Sequence, residues 1–574
     1  MTDLITGILD ANSTVVNVYI AILRWIAPVI AAILLFRCIR PLLTFRREPE
    51  IWGWLCLSGG KKLPITHWES VIGRSKRSDI VIDVPTVSRS HAVLTRYDDG
   101  SWSIADIDSK DGVFVNKKRL RKLRALREND VISIGGVDMT LQPISAKQEQ
   151  KLASLRTKAS SLGNGLVNVF LLSVFQFLTA MAFLIGGRAE YAQNILVGFG
   201  GIMVCQWMLL LFYVCIRRTA FEIETIAFFL CTLGMAVIAT VAPGETLKQL
   251  IAMALGLVLF LVLGWALRDL ERAKMLRNVA AFAGIGFLLI TLVFGVEYYG
   301  AKNWLVIGSV SLQPSELSKV CFVLVGASAM HHIMTKRNLF MFIAYSALIC
   351  GCLAIMNDFG TALIFFCAFL VIAFMRSGSV GTLALAIAAL AFAGVVAIRI
   401  APHMLRRFAT WRHIWEVPLE GGYQQTRALM CMASGGLMGL GAGKGWMKNV
   451  FAADSDMVVA TLAEEWGLIM LILVVLSIVA LGIFSVRTAA VGRSCFYTIS
   501  ACTAVSIMVV QVILNALGTV DVVPLTGVTF PFLSNGGSSM ICAWGLLAFI
   551  KAADTRQNAS FAVRIVKTGG ADDE

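Results

Sequence analysis

The chain has 574 residues, of which 57% are hydrophobic and only 15% charged, and its mean hydropathy is +0.76. Ordinary soluble domains average about 45–50% apolar residues, so this composition excludes a soluble protein and predicts a polytopic α-helical membrane protein. The formal charge of +14 would suggest a nucleic-acid partner in a soluble chain, but most Lys and Arg fall in short segments beside apolar runs, which is the positive-inside pattern and calls for no nucleic acid. Thirteen cysteines are scattered, several within apolar runs (Cys205, Cys352, Cys367, Cys431), without paired metal spacing. Neither disulfides nor a structural zinc site is expected. No basic region opens the chain, so no cleaved signal peptide is expected either.

Residues 1–50 read as a transmembrane anchor whose apolar run, Val15 to Phe36, carries Arg24 and Pro28 inside it. The head before the run has no Lys or Arg, whereas Arg37, Arg40, Arg46 and Arg47 follow it. The amino terminus is therefore expected outside and the next segment in the cytoplasm. Residues 51–143 change to short alternating stretches, Asp79 to Asp83, His91 to Tyr97 and Ser101 to Ile107, separated by turns such as Asp98-Asp99-Gly100. Period-two alternation of this kind predicts antiparallel strands and a small all-β sandwich inserted between helices. Gly73-Arg74, Val87 to His91 and Ser109 to Asn116 fall in its loops, where binding residues collect.

Those three loop motifs, in that order, resemble the forkhead-associated (FHA) domain, a reader of phosphothreonine peptides. The resemblance implies that Arg74 and Ser88 hold the phosphate, that Arg89 and Lys110 flank the peptide, and that His91 is a buried support for the binding loop. A guanidinium fork and a hydroxyl satisfy several phosphate oxygens at once. Asp111-Gly112-Val113 stands where the family has Asn-Gly-Thr, so Asp111 replaces an amide that contacts the peptide and is expected to favour basic residues after the phosphothreonine.

A basic linker, 144–165, and two additional helices, 166–220, lead to an apolar region spanning 221–553 and a short tail, 554–574. Apolar runs at 166–187, 192–216, 221–243, 246–267, 278–297, 315–335, 339–356, 359–376, 382–402, 458–485, 496–520 and 535–553 bring the expected crossings to about thirteen. Basic clusters at Arg217-Arg218, Arg268 to Arg277, Lys336-Arg337, Arg376, Arg487 to Arg493 and Lys551 to Arg556 then fall on one, cytoplasmic, side. The loop from His403 to Asp456 breaks the pattern: it is assigned outside yet holds Arg406, Arg407, Arg412, Arg427, Lys444 and Lys448. Such cations suggest an anionic ligand, or lipid headgroup contact. Glu316, Lys319 and Asp358 lie at helix mouths on the same side, where buried ions must be paired or used.

Asp454 and Asp456 stand where this loop enters the apolar run that continues to Phe484. A carboxylate at the edge of low dielectric has a raised pKa and suits a general base, but Ser455 and Asp456 are also good helix caps. Spacing alone leaves both readings open.

The chain from about Phe221 to Ile550 resembles the shape, elongation, division and sporulation glycosyltransferases, the family of FtsW, RodA and SpoVE. The matching motifs run in order: Gly300-Ala301 with Trp304, Gln313-Pro-Ser-Glu316 with Lys319, Asp358 with Gly360-Thr361, Arg407, Tyr423-Gln424, Gly435-Gly436 with Gly439 to Gly443, Asp456 with Glu464-Glu465 and Gly467, Gln511, Asn515, and Pro531 to Ser539. The family polymerises peptidoglycan strands from lipid II at the outer face of the bacterial cytoplasmic (inner) membrane. The resemblance implies a ten-helix catalytic bundle, Asp456 as the essential aspartate, Trp304 and Gln424 among substrate-binding residues, a class B penicillin-binding protein (transpeptidase) as partner, and dependence on a divalent cation, Mg or Mn, although no dedicated metal cage is visible. Departures cluster at the cleft: Asp454 for a His, Asn303 for an Arg, Met356-Asn357 for Gln-Pro, Arg427 for a Gln and Phe451-Ala452 for Pro-Glu. Because the leaving group is a pyrophosphate, its charge needs cations, and Arg407, Lys319 and Lys444 are the candidates. Glu316 and Asp358 are expected in structural pairs. A lipid flippase and an inactive scaffold that recruits phosphorylated proteins are the rival readings.

Overall fold

The computed structural model describes residues 13–44, 51–148 and 160–560, apart from positions 77, 98–99, 108, 121–122, 146, 187–188, 299, 309, 332–335, 378–379, 401, 490–493 and 557–558. Much of the expected basic linker and most of the expected tail lie outside the described residues.

Among the described residues eleven strands occupy the segment read as a sandwich: β1 (Gly53–Leu57), β2 (Lys62–Ile65), β3 (Glu69–Gly73), β4 (Ile80–Val81), β5 (Ala92–Arg96), β6 (Trp102–Asp106), β7 (Val113–Val115), β8 (Lys118–Arg119), β9 (Arg124–Leu126), β10 (Val131–Ile134) and β11 (Val137–Pro143). They form a six-stranded sheet, β2-β1-β11-β10-β7-β8, and a five-stranded sheet, β4-β3-β5-β6-β9. Alternate residues such as Leu55, Ile72, Leu94, Ile104, Val113 and Ile132 are fully buried in one core, which is what the period-two pattern demands. One pairing departs from the expected antiparallel scheme: β3 and β4 are parallel. The stretch read as Asp79 to Asp83 shrinks to two strand residues, because the Asp79 carboxylate turns back to accept the Val71 N–H at 2.8 Å.

The helices are α1 (Ser13–Leu43), α2 (Leu162–Gly186), α3 (Ala192–Cys215), α4 (Glu222–Val241), α5 (Thr246–Ala266), α6 (Leu270–Phe294), α7 (Pro314–His331), α8 (Lys336–Ile355), α9 (Phe359–Ser377), α10 (Val380–Ile400), α11 (Pro402–Thr410), α12 (Tyr423–Gly435), α13 (Val458–Ala489), α14 (Cys495–Thr519) and α15 (Gly537–Ala552). Each expected apolar run coincides with one of them. Among the described residues eight are long and apolar enough to cross a membrane, and Phe340–Ile355, Phe359–Met375 and Gly537–Ala552 are shorter apolar helices. Two elements inside the long loop, α11 and α12, had no expectation. Neither did a three-stranded sheet of β12 (Val296–Tyr298), β13 (Ala301–Ile307) and β14 (Val310–Leu312), read from sequence as a loop. Lys302 of β13 donates to the carbonyls of Leu292 and Val293 at 2.7 and 3.3 Å, closing the end of α6.

The bundle is organised around α4, buried almost all round, as an apolar helix without a polar face must be. Trp544 of α15 lies fully buried against Phe228, Phe260 and Phe532, with ring centroids 5.0, 5.7 and 5.7 Å away. The two additional helices are joined to this bundle by polar contacts: Gln176 of α2 and Gln206 of α3 exchange reciprocal amide bonds at 3.1 and 3.0 Å, and Gln176 also donates to Thr232 of α4 at 3.0 Å. Satisfied amides of this kind hold helices together where no water competes.

α1 runs alongside α13 and is bonded to its neighbours at both ends. Lys444 donates to Asn17 near its start, and Arg487 of α13 donates to the Leu43 carbonyl at its finish. A helix of 31 residues spans roughly 45 Å, so the sandwich that follows Leu43 attaches at the end of the bundle remote from Lys444. At that remote end lies the basic cluster Lys551 to Arg556, whose two cations, Lys551 and Arg556, are buried. Lys551 pairs with Glu224 at 3.0 Å, and Arg556 pairs with Asp554 at 2.7 Å and Glu222 at 3.3 Å. Buried guanidinium and ammonium groups need such partners; α4 supplies Glu222 and Glu224, and the segment after α15 supplies Asp554.

Candidate functional site

Asp456 lies in the turn Phe451 to Met457 that leads directly into α13. Four contacts fix this turn. Gln424 of α12 donates to the Phe451 carbonyl at 3.0 Å, the Asn535 side chain donates to Asp454 Oδ2 at 2.7 Å, Ser534 Oγ donates to the Ser455 carbonyl at 2.7 Å, and Asn515 of α14 donates to the Asp456 carbonyl at 3.1 Å. Gln424, expected at the substrate, thus has a bond that shapes the turn. With its backbone held from three directions, the Asp456 carboxylate is presented by a rigid support.

The carboxylate itself accepts no hydrogen bond among the described residues and is half-buried. Burial raises its pKa, the Arg407 guanidinium opposes that rise and the Asp454 charge adds to it, with the balance at about 6. The structure therefore brings Asp456, Asp454 and Arg407 together. Arg407 Nη1 also donates to the Leu525 carbonyl at 3.1 Å, and Asn515 Nδ2 to that of Val528 at 2.7 Å, so the segment between them is stretched past the aspartate. Gly527 in this segment has φ +70°, and a Cβ there would stand 3.4 Å from Asp456 Oδ2. The glycine leaves that side of the carboxylate without a side chain against it. Neither Gly527 nor the Asn515 contact was read from sequence beyond a motif position, although a Gly two residues after Leu525 in a polar stretch was an available signal.

The acids that follow Asp456 serve the loop, not the chemistry. Glu464 accepts the N–H groups of Trp446 and Met447 at 2.9 and 2.8 Å, and Glu465 accepts those of Gly443 and Gly445 at 3.1 and 3.2 Å together with the Thr240 hydroxyl at 2.8 Å. Two residues on, Gly467 (φ 83°, ψ 166°) breaks α13. The groups this frees are paired by the glycine-rich loop: Leu440 and Gly441 donate to the carbonyls of Glu464 and Glu465, and Leu468 and Ile469 donate to those of Gly436 and Leu437, at 2.8 to 3.2 Å. A broken helix survives among apolar neighbours only when its backbone is satisfied in this way.

Three expected ligands lie elsewhere. Lys319 is buried in α7, its Nζ 2.6 Å from Glu316 Oε1, with 1% of its side chain exposed. The sequence reading of Lys319 as an open pyrophosphate cation is corrected accordingly, because a desolvated ammonium stays with its carboxylate. Lys444 is exposed, and its bond goes to Asn17 of α1. Trp304 is half-buried on β13, in register with Val296. Its neighbour Asn303 donates to Asp358 Oδ2 at 3.1 Å, which also receives Gln313 at 3.3 Å, while Asp358 Oδ1 accepts the Thr361 N–H at 3.1 Å. Asp358 is thus a cap for α9 with amide partners, a structural role without an ion pair among the described residues.

In the sandwich, His91 is fully buried; its Nδ1 accepts the Ser88 N–H at 3.0 Å, which leaves Nε2–H to donate to the Gly112 carbonyl at 3.1 Å. Ser88 Oγ accepts the Lys110 N–H at 3.1 Å, and Arg74, exposed, donates to the Pro85 carbonyl at 3.2 Å. The Arg89 carbonyl accepts the Ser75 N–H at 3.1 Å, and a Cβ on Gly73 would meet that carbonyl oxygen at 2.2 Å. Arg74, Ser88, Arg89, Lys110 and Asp111 therefore share one end of the sandwich.

Fold and site together define a polytopic membrane protein with an inserted FHA domain. The chain belongs to the FtsW/RodA/SpoVE family, described as cell cycle proteins, whose model matches residues 243–559; the FHA model matches residues 70–135. It is 28% identical over 322 residues to the peptidoglycan glycosyltransferase RodA of Mycobacterium tuberculosis strain H37Rv, covering 53% of this chain and 69% of that one. It is 32% identical over 320 residues to the "probable peptidoglycan glycosyltransferase FtsW" of Nitrosococcus halophilus, covering 52% of this chain and 81% of that one. A solved chain from a peptidoglycan synthase complex that coordinates polymerisation and crosslinking matches 57% of this chain and 96% of its own length, with TM-score 0.50 and 24% identity, a likeness of fold.

Proposed function

We propose that this protein is a peptidoglycan glycosyltransferase that polymerises lipid II, with Asp456 as general base. The observation that carries the reading is the Asp456 carboxylate itself: rigidly mounted, without a hydrogen-bond donor among the described residues, flanked by Gly527 with no side chain against it, and poised at about 6 beside Arg407. Asp456 takes the proton of the acceptor 4-hydroxyl as that oxygen attacks the anomeric carbon of the growing chain; the bond from that carbon to the lipid pyrophosphate breaks, and the pyrophosphate departs as an anion. Arg407, whose charge acts on Asp456, is the candidate cation to stabilise it. Among the described residues no group of three or more His, Cys, Asp or Glu side chains converges, so this donor set does not fit a dedicated Mg or Mn site.

The distribution of Lys and Arg supports a cytoplasmic-membrane location with the amino terminus and the Asp456 turn outside and the FHA domain inside. The kinship with a chain from a synthase complex supports a class B penicillin-binding protein as partner. The loops around Arg74 and Ser88 support a phosphothreonine protein as the ligand of the FHA domain. Purified protein given labelled lipid II tests the central reading. Glycan polymer supports it; movement of lipid II across vesicles without polymer would replace it with transport, and neither product would leave a scaffold.

A further inference from the structure

The loops that hold the candidate phosphate site, at one end of the sandwich, carry several cations, Arg74, Arg89 and Lys110 among them. Strand pairing shows why one more segment belongs there. β7 leaves this end at Val113 and turns at Asn116 and Lys117; β8 then returns, so that Arg119 pairs with Phe114 and Leu120 donates to the Val113 carbonyl at 2.8 Å. β9 starts from the same end, with Arg124 opposite Ile104 of β6, whose exit is the Ser109 to Gly112 loop. The described residues of segments 74–79, 83–91, 107–112 and 119–124 include six Lys or Arg, namely Arg74, Lys76, Arg89, Lys110, Arg119 and Arg124, against three Asp. Asp79 is already engaged by the Val71 N–H. Arg119 lies directly against the binding loop: a Cβ on Gly112 would stand 2.7 Å from its Nε and 3.1 Å from its Nη2.

A basic surface is most often only solvated, and in a membrane protein it can face anionic lipid. Chain entry and exit argue against lipid here. Gly53 pairs with Pro143, so both connections to helices leave from the opposite end of the sandwich. Asp111 alone would favour a basic peptide, but it is outnumbered, and Arg119 sits on the backbone next to it.

We infer that the partner read by the FHA domain is an acidic segment, with Arg119 pairing to an Asp or Glu that flanks the phosphothreonine. The inference rests on the phosphothreonine reading of the same site and names the chemistry of its ligand. A guanidinium fork suits a carboxylate held at short range, and exposed pairs of this kind give about two- to fivefold in affinity.

The test is fluorescence anisotropy on the full chain in detergent, with labelled phosphothreonine peptides flanked either by Glu or by Lys and their unphosphorylated forms. The Glu-flanked phosphopeptide should bind about two- to fivefold tighter than the Lys-flanked one, and Arg119→Ala should erase most of that gap while the requirement for phosphate persists. Arg119→Lys, which keeps the charge, should retain part of it. Equal binding, or preference for Lys, overturns the inference while leaving the phosphothreonine reading in place. Failure of every phosphopeptide overturns both. A Glu preference that vanishes in nanodiscs of anionic lipid but persists in zwitterionic ones would show headgroups on this surface and overturn the inference as well.

Discussion

Replacing Asp456 by Asn should abolish polymerisation and stabilise the fold at the same time. Burial lifts the Asp456 pKa from 3.8 to about 6, which means that the folded protein disfavours the ionised form. The sign follows: below about 3.8 the group is protonated in both states and costs nothing; the penalty grows between about 3.8 and about 6 and is fully present above that. A shift of roughly two units corresponds to at most about 3 kcal/mol, and Asn, isosteric and neutral, removes it. Loss of the proton acceptor should lower the rate by about a hundredfold or more. In the wild type, activity should fall as pH drops through about 6, with roughly a tenth of it left one unit below. Two neighbours should move this acidic limb in opposite directions. Arg407→Gln removes the cation that favours the carboxylate and should shift the limb to higher pH; Asp454→Asn removes a like charge and should shift it lower. The assay is lipid II polymerisation from pH 4.5 to 8, with thermal unfolding of each variant in the same detergent. Near-wild-type activity of Asp456→Asn, or a lower unfolding midpoint for it at neutral pH, would rule out a general base whose ionised form burial disfavours.

Gly527→Ala should cost about 1 kcal/mol in stability from its positive φ, yet lower polymerisation far more, because the new methyl stands over the carboxylate; activity and melting measured together separate the two effects. Lys319→Met should destabilise by about 3–5 kcal/mol by leaving Glu316 buried alone, whereas the double change with Glu316→Leu should regain stability; recovery of polymerisation in the double variant would confirm that Lys319 holds the bundle and not the substrate. Glu464→Gln weakens the acceptor for two loop amides, so hydrogen exchange at Trp446 and Met447 should quicken, while exchange in the FHA strands stays as it was. Arg407→Glu should impair lipid II use much more than Arg272→Glu at the remote end of the bundle, a better control than the buried Arg556; equal effects would reduce Arg407 to lipid headgroup contact.

Hydropathy alone located every long helix, because twenty apolar residues in water have no other stable option and the signal is local. Period-two alternation likewise exposed the sandwich, since one buried face imposes it. Motif order pointed to Asp456, but its rival role as a helix cap could be judged only when the turn was seen held by Gln424, Ser534, Asn535 and Asn515, four residues from three distant stretches. Ionic partners were the least legible part. Lys319 and Arg407 are both cations on the same side of the chain's hydropathy plot, yet one is desolvated with Glu316 and the other lies exposed near Asp456. The same holds for Arg556, read from sequence only as one of a basic cluster on the cytoplasmic side, which α4 pairs in the interior with Glu222. Apolar periodicity belongs to a segment and is written in it; the desolvation and pairing of a charge depend on which segments meet, and only the packed bundle decides that.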